Sequence, residues 1–262
     1  MKKILSILLV SLFALALVLL AGYGYVQYRN QKVSKIVVHI ERKGTVGFLS
    51  EKIIKSIIRK QDKITGKLIK SLNTKQIERN IAKNPYVKAV DVYLNLSGNV
   101  MVNVTERRPL LQIYNQKNNS CYVDTDGNLF PLSSYFAPRV LPANGYIKAK
   151  LIMSKNIHAK IYQNTSLPGL YLLAKKIGRN DFLKANISQL FVNSKGNIDM
   201  APELGRFIFH LGDSTDMDIK LENLEAFIKK VLVHGSWSKY RSINLEYTNQ
   251  IVCTKKQTYG RK

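Results

Sequence analysis

Cysteine is nearly missing from this chain of 262 residues, which carries only Cys121 and Cys253. Two thiols so far apart exclude a disulfide-built domain, and a chain of this size buries its own core without staples. They read as isolated strand residues; a pair is open if the domain is extracytoplasmic, and only geometry decides. Acidic side chains are scarce too, 17 Asp and Glu against 41 Lys and Arg, for a formal charge of +24. The basic residues punctuate amphipathic segments (Lys52, Lys55, Arg59; Lys229, Lys230) instead of gathering in one arm. No zinc-finger or RNA-recognition signature accompanies them, so nucleic acid is not an expected partner. Attraction to a membrane surface or another polyanion is the simpler consequence.

Catalytic motifs are lacking as well. The chain has no G-x-S-x-G, no phosphate loop, no dinucleotide fingerprint and no HExxH. His39, His158, His210 and His234 are scattered. Ser236-Trp237-Ser238-Lys239 matches S-x-x-K by letter but lacks the companion S-D-N and K-T-G elements. The cluster Asp213, Asp216, Asp218 lacks the glycine and distal glutamate of a calcium loop and reads as helix capping. Asp124-Thr125-Asp126-Gly127-Asn128 reads as a hairpin turn. The expectation is a protein that is not an enzyme, with no cofactor, no metal and no small-molecule substrate.

What the chain does have is one long apolar run. From Ile4 to Tyr28 there is no charged side chain, and a bilayer core needs roughly 20 apolar helical residues. Residues 4–26, including Ile4, Leu12 and Leu20, read as a transmembrane anchor, with 1–3 as a cytoplasmic stub. A cleaved signal peptide has a shorter apolar region, although Ala14, Ala16 and Ala21 keep cleavage open. Lys2 and Lys3 before the run and Arg29, Lys32 and Lys35 after it nearly balance under the positive-inside bias. We take the N-terminus as cytoplasmic and the bulk as extracytoplasmic, with Tyr23, Tyr25 and Tyr28 as an aromatic belt on the far side.

Beyond the anchor, Ile36, Val38 and Ile40 alternate as in a half-buried strand. Ser50 opens a helix with Ile53, Ile54, Ile57 and Ile58 on one face. Asn73, with Gln76 three residues on, opens a second, resembling a capping box, which Asn84-Pro85 stops. Val90, Val92, Leu94 and Val100, Val102, Val104 form a hairpin around Gly98. The order over 33–107 is β-α-α-β-β.

A second domain, 109–255, starts with short strands at Gln112–Tyr114, Cys121–Val123 and Asn128–Phe130. Pro131, Pro138 and Pro142 mark irregular chain, and a helix follows at Leu170–Ile177. Strands are predicted at Ile187–Val192, Asn197–Met200 and Arg206–Leu211. A helix with Leu221, Leu224, Phe227, Ile228, Val231 and Leu232 on a 3.6 period precedes strands at Ser242–Tyr247 and Asn249–Thr254. Residues 256–262 are a basic tail. The fold class is α+β.

From Asn84-Pro85-Tyr86-Val87 through Gly98 to Val102-x-Val104-x-Glu106-Arg107-x-Pro109, the sequence resembles the FtsQ/DivIB family of bacterial cell-division proteins at the join of its POTRA and β-domains. Tyr122-Val123-Asp124-x-x-Gly127-x-x-Phe130, Leu141-Pro142 with Gly145, and Ile243-Asn244-Leu245-x-Tyr247 continue the resemblance. It departs in a nearly absent cytoplasmic tail and in Asn244, where the family commonly has aspartate. The resemblance implies a divisome scaffold at the septum of the plasma membrane. Such a scaffold recruits FtsB and FtsL coiled-coil proteins and helps regulate septal peptidoglycan synthesis. It places the FtsB-binding edge at the last strands, here Tyr247, Thr248, Asn249, Gln250, Ile251 and Val252. Glu106, Arg107 and Pro109 would mark the domain junction. Val87–Leu94 offers a second edge. The rival is a POTRA-bearing component of outer-membrane protein assembly or secretion, which ordinarily carries a barrel or several POTRA repeats; neither is visible.

Overall fold

The computed structural model describes residues 2–42, 44–61, 64–247 and 249–256. They divide into two compact units, Met1–Arg107 and Arg108–Lys262. The first opens with helix α1 (Lys2–Asn30). Its span Ser6–Asn30 has 25 residues, none of them buried by protein, and at ~1.5 Å per residue it exceeds the ~30 Å hydrocarbon core. A helix apolar all round with nothing packed over it takes lipid as its cover.

The rest of that unit is a three-stranded sheet, order β1-β3-β2, from β1 (Ile36–Glu41), β2 (Val87–Leu94) and β3 (Val100–Glu106). β1 runs parallel and β2 antiparallel to β3. Helices α2 (Glu51–Gln61) and α3 (Thr74–Ala82) bury Ile54, Ile58, Ile77 and Ile81 in a core shared with Val38, Val102 and Val104. Both helix starts follow the sequence. Ser50 Oγ accepts from the Ile53 amide at 3.3 Å, and Asn73 Oδ1 accepts from the Gln76 amide at 3.0 Å. Only half of the capping box forms, because the Gln76 amide group turns to Asn80 Oδ1 instead of back to Asn73.

The second unit is one mixed sheet of nine strands in the order β12-β11-β10-β9-β8-β7-β4-β5-β6. Its members are β4 (Pro109–Tyr114), β5 (Ser120–Asp124), β6 (Leu129–Phe130), β7 (Leu141–Gly145), β8 (Ile187–Val192), β9 (Ile198–Pro202), β10 (Ile208–Gly212), β11 (Tyr240–Asn244) and β12 (Val252–Lys255). Helices α4 (Leu167–Arg179) and α6 (Met217–Phe227) contribute Leu170, Leu173, Ala174, Leu221 and Leu224 to its core, and α5 (Asp181–Asn186) joins α4 to β8.

The structure departs from the sequence reading at several elements. β7, between β4 and β8, runs through a segment that its prolines mark as irregular. Pro142 is tolerated because it faces Gln112 of β4 alone, β8 pairing only from Ala143 onward. Short α5 has no long apolar period and is set by its cap, Asn180 Oδ1 accepting from the Phe182 and Leu183 amides. The long C-terminal helix also changes register: α6 ends at Phe227 and Ile228–Ser236 is π-helical. The wider turn keeps Ile228 and Leu232 buried four residues apart.

Asp216 does not cap α6 with its side chain; it takes the left-handed conformation (φ 47). Asp213 instead accepts from the Thr215 hydroxyl and amide and from the buried ammonium of Lys220 at 3.0 Å. Hydrogen bonds from Thr215 and then Lys220 hold the Asp213 carboxyl down at about 2.

The strand register places both cysteines on one row across the sheet. Cys253, Ile243, Phe209, Met200, Leu190, Ala143, Ile113 and Cys121 are successive partners from β12 to β5. At ~4.8 Å per strand the row's ends lie roughly 34 Å apart, far beyond the ~7 Å reach of a disulfide. Both thiols are free, and burial pushes Cys121 up to about 12. Ellman titration of the native protein is expected to count one reactive thiol, Cys253, with Cys121 appearing only in denaturant; two equivalents under native conditions would contradict this packing.

Candidate partner-binding edge

The two sheets have four edge strands, β1, β2, β6 and β12; β1 pairs only with β3, and the other three differ in how far their outer sides are covered. β2 pairs only with β3, but its Val92 amide donates to Glu78 Oε1 of α3 at 2.9 Å, which takes up an outward-facing amide of that strand. β6, at one end of the nine-stranded sheet, is covered by its own chain: Leu129 N donates to Lys155 O and Ser154 N to Leu129 O, at 2.9 and 2.8 Å. β12 ends the sheet on the other side and pairs only with β11.

The orientation of the open amides follows from a bond just past the strand. Lys256 N donates to Lys239 O at 2.9 Å, toward β11. Amides of an antiparallel strand alternate sides, so Thr254 and Val252 also face β11, while Cys253 and Lys255 turn their amides and carbonyls outward. Among the described residues no hydrogen bond is made on that outer side.

Residues 247–252 do not form a continuous edge strand. β11 stops at Asn244, whose Oδ1 accepts from the Glu246 amide at 2.7 Å, while Leu245 N donates to His210 O and Leu245 is buried. This turn ends the strand before Tyr247, so Tyr247, Asn249, Gln250 and Ile251 form the connection and only Val252 belongs to β12. Thr248 lies outside the described residues. Tyr247 (52%) and Val252 (43%) are exposed. Asn249 and Gln250 are exposed too. Ile251 packs partly buried against the core, so it supports the edge more than it presents itself. Beside β12, Arg206, Ile208, His210, Arg241, Ser242 and Thr254 line a shallow groove, where His210 Nδ1 lies 2.9 Å from Asp199 Oδ1.

The junction residues have structural tasks. The Glu106 carboxylate is buried and accepts from the Phe48 and Leu49 amides at 3.0 and 2.9 Å, with Arg42 Nη1 at 3.9 Å. Arg107 Nε donates to Pro85 O at 2.9 Å, tying the end of β3 to the turn before β2. Pro109 opens β4 opposite Asp124. The covers over β2 and β6 escape sequence reasoning, because Glu78 looks like any solvated helix charge and residues 152–157 carry no periodic signal.

Among the described residues, one helix long and apolar enough to cross a bilayer, a β-α-α-β-β module and a mixed sheet with an unpaired edge at β12 define the class, a scaffold with one candidate membrane anchor. A POTRA-like domain model matches residues 31–105, and a model described as FtsQ/DivIB, C-terminal related, matches 108–254. The chain therefore belongs to the FtsQ/DivIB family, whose members are non-enzymatic scaffolds of cell division. No curated protein matches it.

Proposed function

We propose that this protein recruits membrane coiled-coil division proteins of the FtsB/FtsL type through β12 and its preceding connection, and so helps regulate septal peptidoglycan synthesis. In this reading the N-terminus is cytoplasmic, and both folded units work outside the cytoplasm at the septum. The open edge of β12 carries the proposal. A partner strand laid beside it gains main-chain hydrogen bonds from Cys253 and Lys255, while Tyr247, Asn249 and Val252 supply side-chain selectivity. Thr248, Gln250 and Ile251 complete the proposed contact segment. Arg241, Lys255 and Lys256 favour a partner strand with acidic residues.

Lys255→Pro removes one outward amide and leaves the pairing with β11 intact. Co-purification of an FtsB-like protein is expected to fall about tenfold, the scale of one or two net hydrogen bonds, and Tyr247→Asp to weaken capture further. Unchanged capture by both variants would rule this edge out. A fluorescent fusion that never forms a midcell band would rule out the divisome role.

A further inference from the structure

We infer that the face of the POTRA-like unit around the end of α1 is itself a membrane-contact surface, with Arg29, Lys32, Lys35 and Lys70 binding anionic phospholipid headgroups and Leu96 dipping into the bilayer. The inference rests on the reading of α1 as the membrane anchor.

The helix and the unit after it are tied together by several bonds. Tyr28 Oη donates to Asn95 O at 3.1 Å. Ile69 N donates to Gln31 O at 2.9 Å, Ser34 N to Gly98 O at 3.0 Å, and Lys32 bridges to Leu68. The hairpin tip 95–99 is thus held against the last turn of α1, and residues 64–72 against the chain that leaves it. Helix side chains lean toward the N-terminus, so Tyr28 reaches Asn95 on the bilayer side of its own Cα. Leu96 comes next and is 90% exposed. An isolated exposed leucine is ordinary; a leucine on a turn bonded to the last turn of a membrane helix sits where an apolar side chain meets lipid.

The charges agree with this placement. Arg29, Lys32, Lys35 and Lys70 are exposed. Arg29 Nη1 donates to Tyr25 Oη at 3.1 Å, with its guanidinium over the Tyr25 ring, which draws the cation one turn nearer the bilayer, to headgroup depth. The three sequence segments that meet here, 1–40, 64–77 and 92–105, contain no Asp or Glu. A surface cleared of acids and bordered by cations attracts an anionic leaflet. This also gives a role to the cations after α1, which otherwise oppose a cytoplasmic N-terminus.

The test uses the full chain carrying Leu96→Trp in proteoliposomes of brominated phosphatidylcholine, with or without phosphatidylglycerol. The wild-type chain, whose one tryptophan is Trp237, supplies the baseline. Bromine quenching of the added tryptophan is expected to be about twofold stronger with phosphatidylglycerol, and the Lys32→Glu/Lys35→Glu/Lys70→Glu background to abolish that gain. Quenching no greater than wild type, in liposomes that keep the protein through an alkaline carbonate wash, overturns the inference and leaves the anchor standing. Equal quenching in both lipids overturns the anionic component. Release by carbonate overturns the anchor and the inference together.

Discussion

Glu106→Ala is expected to destabilise the first unit by about 3 kcal/mol, because it leaves the buried amides of Phe48 and Leu49 without an acceptor. Those amides belong to the turn that launches α2, so the loss is local. Amide exchange across residues 47–61 is expected to quicken about a hundredfold, the factor that ~3 kcal/mol represents. Unfolding followed by Trp237 reports the second unit and is expected to stay unchanged. Glu106→Gln keeps one acceptor and is expected to cost about half as much. The same contact explains Gly47: a Cβ there would lie 2.1 Å from Glu106 Oε1, so Gly47→Ala displaces the carboxylate and is expected to mimic its loss. Native-like protection in Glu106→Ala would refute this account of the turn.

Gly145→Ala carries the second large effect. Gly145 ends β7 with φ +95, and a Cβ would meet Val192 O at 2.3 Å and the Phe191 ring at 2.8 Å. The carbonyl cannot retreat, since it accepts from Tyr146 N at 2.7 Å within the middle of the sheet. Backbone strain and overpacking together are expected to cost about 3 kcal/mol and to lower the urea midpoint of the Trp237 transition by more than ~1 M. Gly196 separates the two causes, having φ +87 but open space around it. Gly196→Ala is expected to cost only about 1 kcal/mol; equal midpoints for the two variants would remove the steric part of the explanation.

Legibility in the sequence depended on whether the deciding interaction is local. α2, α3 and the β2–β3 hairpin follow from caps and periodicity because their signals sit within a few residues. The hairpin turns show the same economy. Asn95, Asn115, Asp124 and Asn193 each accept, through one side-chain oxygen, from the amides two and four residues later. The residue three later has positive φ each time, Gly98, Asn118, Gly127 and Gly196. This N/D-x-x-G/N-N pattern is plain in the sequence and announces four turns of one design. β7 was hidden because Pro142 is acceptable only once the staggered start of β8 is known. The candidate edge was half legible: the last two strands were located, but the Asn244 turn that moves Tyr247 out of the strand depends on the neighbouring β10. The partial cover of β2 by Glu78 and the cover of β6 by Ser154 and Lys155 depend wholly on tertiary placement.

The position of β12 at the end of the sheet has a consequence in time. The strands from β4 to β10 precede β11 in the chain, and β11 can join the sheet only after the chain has crossed back through α6 to lie parallel to β10. β12 then closes the sequence of additions. Until it docks, the exposed border of the sheet is β11, with different side chains and a different amide pattern. A chain cut before Val252 therefore lacks β12 and presents the border of β11 in its place.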